Sequence, residues 1–310
     1  MREDRPLVSV VMSTYNTEKY IADAINSILA QTFTNFEFII WDDGSTDDTR
    51  DIVESFKDER IKYYYHENTG LGMALRLACE KSTGKYIARM DSDDISLPNR
   101  FEKEIAFLES NPDYVLVSSA VYYVDEKGTV IGRSFPYTDS KILIATRTMT
   151  VHPMAIMRRD SYVKAGGYLP IRFMEDDLFW SKLSKQGKFA NITEPLGKYR
   201  LLQSSLGHNR SKYDSVLKEF RNKMAKDDVV LDSDIELYNN LYLYSKQFKE
   251  TIQDKQMSRR KVTSEERVFE IICRVFGDRG AEKVICGLKN FRFKMNIKIN
   301  AIIRFSIYQQ

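Results

Sequence analysis

The stretch Lys85-Tyr86-Ile87-Ala88-Arg89-Met90-Asp91-Ser92-Asp93-Asp94 sets an apolar, strand-like run directly against three carboxylates in four residues. Carboxylates crowded at a strand end repel one another and lose hydration, and a hard divalent cation between them relieves both costs. The same residues also suit a solvated turn that caps the following helix. The rest of the chain bears on which of these holds.

Upstream, residues 7–12 read as a buried strand that ends in Ser13-Thr14-Tyr15-Asn16, and a helix is predicted from Glu18 through Ile21, Ala24, Ile25, Ile28 and Leu29. Residues 36–41 form the next strand, closed by Asp42-Asp43, and Gly44-Ser45-Thr46-Asp47-Asp48 opens a second helix. A third strand spans 61–65. Asn68-Thr69-Gly70-Leu71-Gly72 then leads into a helix over 73–81, and the Asp-rich strand is followed by a helix ending near Ser110. This β-α-β-α-β-α-β-α order predicts a doubly wound, mostly parallel sheet. Ligands of such sheets bind beyond the carboxyl ends of the strands, where the winding reverses, and every polar cluster named so far falls at those ends.

Beyond Pro112 the pattern changes. Residues 115–124 and 129–132 read as a hairpin around Asp125-Glu126-Lys127-Gly128, residues 151–157 as a strand, and Glu175 to Gln186 as a helix closing on Gly187. A short strand ends at Tyr199-Arg200, and from Lys212 onward the periodicity is helical.

At 310 residues, 43% hydrophobic and 29% charged, the chain has room for one large α/β domain and an appendage. Cys79, Cys273 and Cys286 form no CxxC pair, which argues against a disulfide framework or a zinc site and fits a reducing cytoplasm. The charged N-terminus followed by a short apolar run does not read as a signal peptide, and no stretch approaches the roughly 20 apolar residues of a spanning helix. Charge is uneven: residues 1–200 hold 26 Lys and Arg against 30 Asp and Glu, and residues 201–310 hold 21 against 14.

Several residues have both a chemical and a packing reading. Asp42 lies within a strand end, where a carboxylate accepts from the imide N–H of a uracil or thymine ring. Ser45 to Asp48 suit an N-cap with acids in the first helical turn. Arg76 adds a guanidinium fork near a glycine-containing helix start that favours phosphate oxygens, and it equally suits a solvated helix face. Tyr63-Tyr64-Tyr65 and Tyr122-Tyr123 read as strand packing.

Taken together, residues 8–16, Asp42 to Asp47, Asn68 to Gly72 and Gly84 to Asp94 resemble the successive signatures of the family 2 inverting glycosyltransferases. The resemblance covers roughly residues 7–205. It implies a GT-A fold at 1–207, with 1–110 binding the nucleotide sugar and 111–207 holding acceptor and base, followed by a mainly helical region over 208–310. It also implies a nucleotide-sugar donor, usually UDP-linked, and Mn²⁺ or Mg²⁺ at Asp91-Ser92-Asp93. By position, Ser13, Thr14 and Tyr15 would line the base pocket and Asp42 would bind the uracil. Asn68, Arg76, Asp91 and Ser92 would contact the donor, and Asp93, with Asp91, the metal. Glu175-Asp176-Asp177-Leu178-Phe179-Trp180 resembles the family's ED motif. Counting back from Trp180 makes Asp176 the base, although Leu178 stands where the family often has another Asp. His152 and Glu175 are expected at the acceptor or diphosphate, and Trp180 against acceptor sugar. For His152 and Trp180, core packing is the competing reading.

The expected activity is hexosyl or N-acetylhexosaminyl transfer to a glycan or lipid-linked acceptor of a surface polysaccharide. A sugar-nucleotide pyrophosphorylase would want a Gly-rich basic loop after the first strand, which Ser13 to Asn16 do not supply. A silent glycan-binding relative would need neither set of acids. Residues 283–310 carry six cations and no acid and can set an apolar side against a cationic one. That pattern predicts either adsorption to an anionic membrane or packing within the protein or in a homo-oligomer. No nucleic-acid-binding motif accompanies it.

Overall fold

The computed structural model describes residues 5–134, 136, 150–171 and 175–202. The expectations for 208–310, including the basic tail, lie outside the described residues. Strands β1 (Val8–Thr14), β2 (Phe36–Asp42), β3 (Ile61–Tyr65) and β4 (Tyr86–Asp91) alternate with helices α1 (Ile21–Leu29), α2 (Thr49–Ser55) and α3 (Leu71–Glu80). There follow β5 (Ile95–Ser96), α4 (Arg100–Ser110), β6 (Tyr114–Val124), β7 (Val130–Arg133), a 3₁₀ turn (His152–Met154) and β8 (Ile156–Arg158). Helices α5 (Arg159–Lys164) and α6 (Glu175–Leu183) and strand β9 (Lys188–Arg200) complete the described chain.

The strands form one sheet in the order β3-β2-β1-β4-β8-β6-β9-β5, with β7 added to β6. Strands β3, β2, β1 and β4 are parallel to one another, and β8 joins β4 and β6 antiparallel. The sheet is thus doubly wound and mostly parallel in its first half, with an antiparallel addition. Strands β1, β2 and β4 are mostly apolar and buried along their length because both faces are covered. Val8, Val10 and Met12 of β1 enter one core with Ile25, Phe38 and Phe101, while Val11 enters the other with Ile39, Leu75 and Ile87.

Four boundaries differ from expectation, each for a local reason. Helix α1 starts at Ile21 because Asn16, Thr17 and Glu18 give their N–H groups to Ser45, Thr49 and Asp47 side chains across the loop. The strand expected over 151–157 is only Ile156–Arg158, since Pro153 has no N–H to give a ladder and the preceding residues turn as a 3₁₀ helix. Helix α3 begins at Leu71, just after Gly70 at φ 89°. The last strand is long rather than short. It runs the 13 residues of β9 beside β6, with register shifts near Ala120 that accommodate Pro195.

Gly72 packs α3 against the chain that leads to α6. Its N–H donates to the Ile171 carbonyl at 3.1 Å, and a Cβ there would overlap the carbonyl oxygens of Leu169 and Ile171. Gly72→Ala is therefore expected to lower unfolding stability by about 1–3 kcal/mol, measurable by urea denaturation.

Candidate functional site

The site forms where β1 separates its two neighbours, with Ser13 in register with Asp91 on one side and Thr14 with Asp42 on the other. Ser13 and Thr14 are buried, and Tyr15 is 50% exposed at the rim. Three loops lock together here. Asn16 donates its N–H to Ser45 Oγ (2.9 Å), and its Oδ1 accepts from the Thr46 N–H (2.8 Å). Ser45 thus pins a neighbouring loop rather than capping its own helix. Asp43 accepts from Thr69 N–H, Thr69 Oγ1 and Gly70 N–H at 2.8–2.9 Å, and Asn68 Nδ2 donates to the Asp43 carbonyl at 2.9 Å.

Asp42, the acid expected to bind the uracil, lies at the end of β2. It is 0% exposed, and its oxygens accept from Ser45 N–H (2.7 Å) and Tyr63 Oη (2.8 Å). These contacts close the turn after β2. Arg76 is half-exposed and divides its guanidinium between Glu80 (3.2 Å) and the Tyr168 carbonyl (3.4 Å).

Asp91, Asp93 and Asp94 each offer a ligand oxygen, all within 4.8 Å of one another, and Ser92 between them is buried. Burial, then the Asp91 charge, pushes the Asp93 carboxyl up to about 6. Burial, then the Asp93 and Asp91 charges, raises the Asp94 carboxyl well above the usual carboxylate range. Asp94 is tied to β9, where its Oδ1 accepts from the Arg200 N–H at 2.8 Å, while its buried Oδ2 has no hydrogen-bond partner. Convergent hard oxygens, mutual repulsion and an orphaned carboxylate oxygen fit a divalent cation. Three buried arginines surround the cluster. Arg89, 1% exposed on β4, pairs with Asp91 and with the Met90 carbonyl. Arg100 holds the Arg89 carbonyl at 2.9 Å and Glu104 at 3.0 Å, and Arg200 holds the Asp93 carbonyl at 2.9 Å.

From the second half, α6 brings Glu175 and Asp176. Glu175 is buried, and burial with the neighbouring Asp176 charge raises its carboxyl to about 8. His152 lies 3.7 Å from Glu175 through Nδ1 and 2.8 Å from Tyr168 Oη through Nε2. Burial, then the Arg89 charge, lowers its pKa well below the usual imidazole value, so His152 is neutral at pH 7. Glu175 and His152 therefore face each other inside the protein. Trp180 is 2% exposed and packs edge-on against His152 and Phe189, so its indole belongs to the core and presents no stacking face to an acceptor sugar. Asp176 is half-buried. Burial, then the charges of Asp91, Asp94, Asp93 and Asp176, raise the Tyr199 phenol, so acids of both halves act on one tyrosine.

Tyr199, Arg89, Arg100 and Arg200 were not singled out by the sequence. The available signal was a charge inside a buried apolar run, at Arg89, and an aromatic-cation pair at a strand end, at Tyr199-Arg200.

The chain belongs to glycosyl transferase family 2, whose family model matches residues 9–166. It is 32% identical over 202 residues to the amylovoran biosynthesis glycosyltransferase AmsE of Erwinia amylovora, covering 63% of this chain and 76% of that one. Its fold is of the GT-A kind. The S. aureus TarS 1–349 complex with UDP-GlcNAc superposes with TM-score 0.60 at 20% identity, over 87% of this chain and 82% of the other. The Pyrobaculum calidifontis mannosyltransferase PcManGT, in complex with GDP-Man and Mn2+, superposes with TM-score 0.54 at 19% identity, over 77% and 70%.

Proposed function

We propose that this glycosyltransferase moves a sugar, with inversion, from a UDP-linked donor to a hydroxyl of a glycan or lipid-linked acceptor during surface polysaccharide synthesis. The observation that carries the reading is the convergence of Asp91, Asp93 and Asp94 at the switch point of a doubly wound sheet, with the Asp176 charge felt by the same Tyr199 phenol as theirs. Support for the donor and the process comes from relatives: TarS in complex with UDP-GlcNAc, and AmsE of amylovoran biosynthesis.

Ser13, Thr14 and the exposed Tyr15 bound the space for the nucleotide base, and Asn68 sits in the loop beside it. Arg76 would contact the donor by releasing Glu80. Asp93, supported by Asp91 and Asp94, would hold Mn²⁺ or Mg²⁺, and Mn2+ accompanies the donor in PcManGT. When bound, that ion neutralises charge developing on the departing diphosphate. Asp176 takes the proton of the acceptor hydroxyl as its oxygen attacks the anomeric carbon from the face opposite the nucleotide. The C–O bond to the nucleotide breaks as the new glycosidic bond forms, and the proton remains on Asp176. The buried Glu175–His152 pair fixes the start of α6 and with it the direction of Asp176.

Proton NMR of the first product formed from an α-linked UDP-sugar tests the stereochemistry. A β-glycosidic product is expected, and an α-glycosidic product would reject inversion. The metal site also sets a pH dependence. The carboxyl of Asp93 must lose its proton to bind a cation, so Mn²⁺ affinity should fall by about tenfold per pH unit below about pH 6, and more steeply where Asp94 also takes up a proton. A titration showing the same Mn²⁺ affinity at pH 5 and pH 7 would remove Asp93 from the ligand set.

A further inference from the structure

Arg200 does something that the acid cluster needs and that ordinary charge pairing would spoil. Its side chain is 4% exposed at the end of β9, and its guanidinium makes no ion pair among the described residues. All of its side-chain hydrogen bonds go instead to main-chain carbonyls. Nε donates to Asp93 O at 2.9 Å, and Nη1 donates to Glu126 O at 2.8 Å and Asp125 O at 3.3 Å in the β6–β7 turn. Its own N–H supplies a fourth contact, to Asp94 Oδ1 at 2.8 Å. The guanidinium lies over the Tyr20 ring, 4.7 Å from the centroid, which fixes its plane.

A guanidinium this close to three carboxylates would ordinarily fork one of them and remove it from any other partner. Gripping the Asp93 carbonyl instead fixes the backbone that carries the carboxylate while leaving its oxygens to a cation. The charge also lowers the cost of gathering the acids before a cation arrives. We propose that Arg200 is a positioning residue for cation binding, a strut from the β6–β7 turn that holds the Asp93–Asp94 loop by its main chain so that the carboxylates converge. This rests on the cation reading above and adds a residue that acts without touching donor or acceptor.

The test compares the full chain with its Arg200→Ala and Arg200→Lys variants. Mn²⁺ binding in the presence of UDP is followed by the electron paramagnetic resonance signal of free Mn²⁺, and near-ultraviolet circular dichroism reports the fold. Arg200→Ala should weaken Mn²⁺ binding at least tenfold, in the range that loss of a group supporting metal ligands costs. Turnover should recover as Mn²⁺ is raised to saturation, and added guanidinium ion should restore part of the affinity. A purely structural role would lower turnover at every Mn²⁺ concentration. Arg200→Lys keeps the charge and the buried stem, so it reads the effect even where alanine fails to fold. It lacks the fork and should also bind Mn²⁺ more weakly than wild type. Wild-type binding with a Lys variant, or a folded Ala variant, within twofold of it overturns the role of Arg200 alone. Failure of the wild type to bind Mn²⁺ overturns the cation reading and this role with it.

Discussion

Asp176→Asn is expected to reduce sugar transfer by about 10²–10⁴-fold at saturating donor and Mn²⁺, the range that a positioned general base contributes. The amide keeps the shape of the side chain at the start of α6 and loses only the ability to take a proton. Donor KM and Mn²⁺ affinity should therefore change little, because Asp176 is not among the acids that converge as cation ligands. Loss of one charge next to Glu175 should also lower the Glu175 pKa, since Asp176 raises it. A variant that transfers sugar at the wild-type rate would pass the role of base to another acid, with Asp177 next in sequence.

Asp93→Asn has the opposite signature. It should weaken Mn²⁺-dependent UDP binding by two orders of magnitude or more, beyond the ~10–100-fold that loss of a supporting group costs. The same change should stabilise the metal-free fold. A carboxyl whose folded pKa is raised contributes stability that is present below its ordinary range and lost as pH rises through the folded value, here about 6. At pH 7 the ionised Asp93 therefore costs the fold about 1–3 kcal/mol, and the amide removes that cost. Thermal melting with EDTA should show a higher Tm for Asp93→Asn than for wild type, and melting with Mn²⁺ and UDP should reverse the order. An equal Mn²⁺-induced shift in both proteins would mean that Asp93 is no ligand.

Much of this was legible in the residues because two physical patterns are local. Strands covered on both faces must be continuous apolar runs, so β1 to β4 and the winding of the sheet could be read directly. Acids and small polar residues at the ends of those strands mark the open edge. What could not be read depends on contacts far apart in sequence. Strand β9 reads as short because Asn191, Thr193, Glu194 and Pro195 break the alternation, and bulged pairing with β6 keeps it in the sheet. Asp42 and Asp91 look alike as strand-end acids. Tyr63, 21 residues on, helps seal the first, while Arg89 pairs the second and leaves it partly exposed. Trp180 reads equally as a sugar platform or as core until His152 and Phe189 are seen against it. The grip of Arg200 on Asp93 spans 107 residues and leaves no local trace.

Among the described residues no helix is long and apolar enough to cross a membrane. The adsorption proposed for residues 283–310 is tested by liposome co-sedimentation of the full chain against one ending near Gly280, and equal binding by the two would reject it.

In the proposed reaction a cation held by the acid cluster makes a nucleotide sugar reactive at this site. The most direct test is to incubate the full chain with a panel of UDP- and GDP-sugars in Mn²⁺ or in EDTA and measure release of free nucleotide. Slow hydrolysis of at least one UDP-sugar in Mn²⁺, abolished by EDTA, is the predicted result, whereas hydrolysis at the same rate in EDTA, or none with any sugar nucleotide, would contradict it.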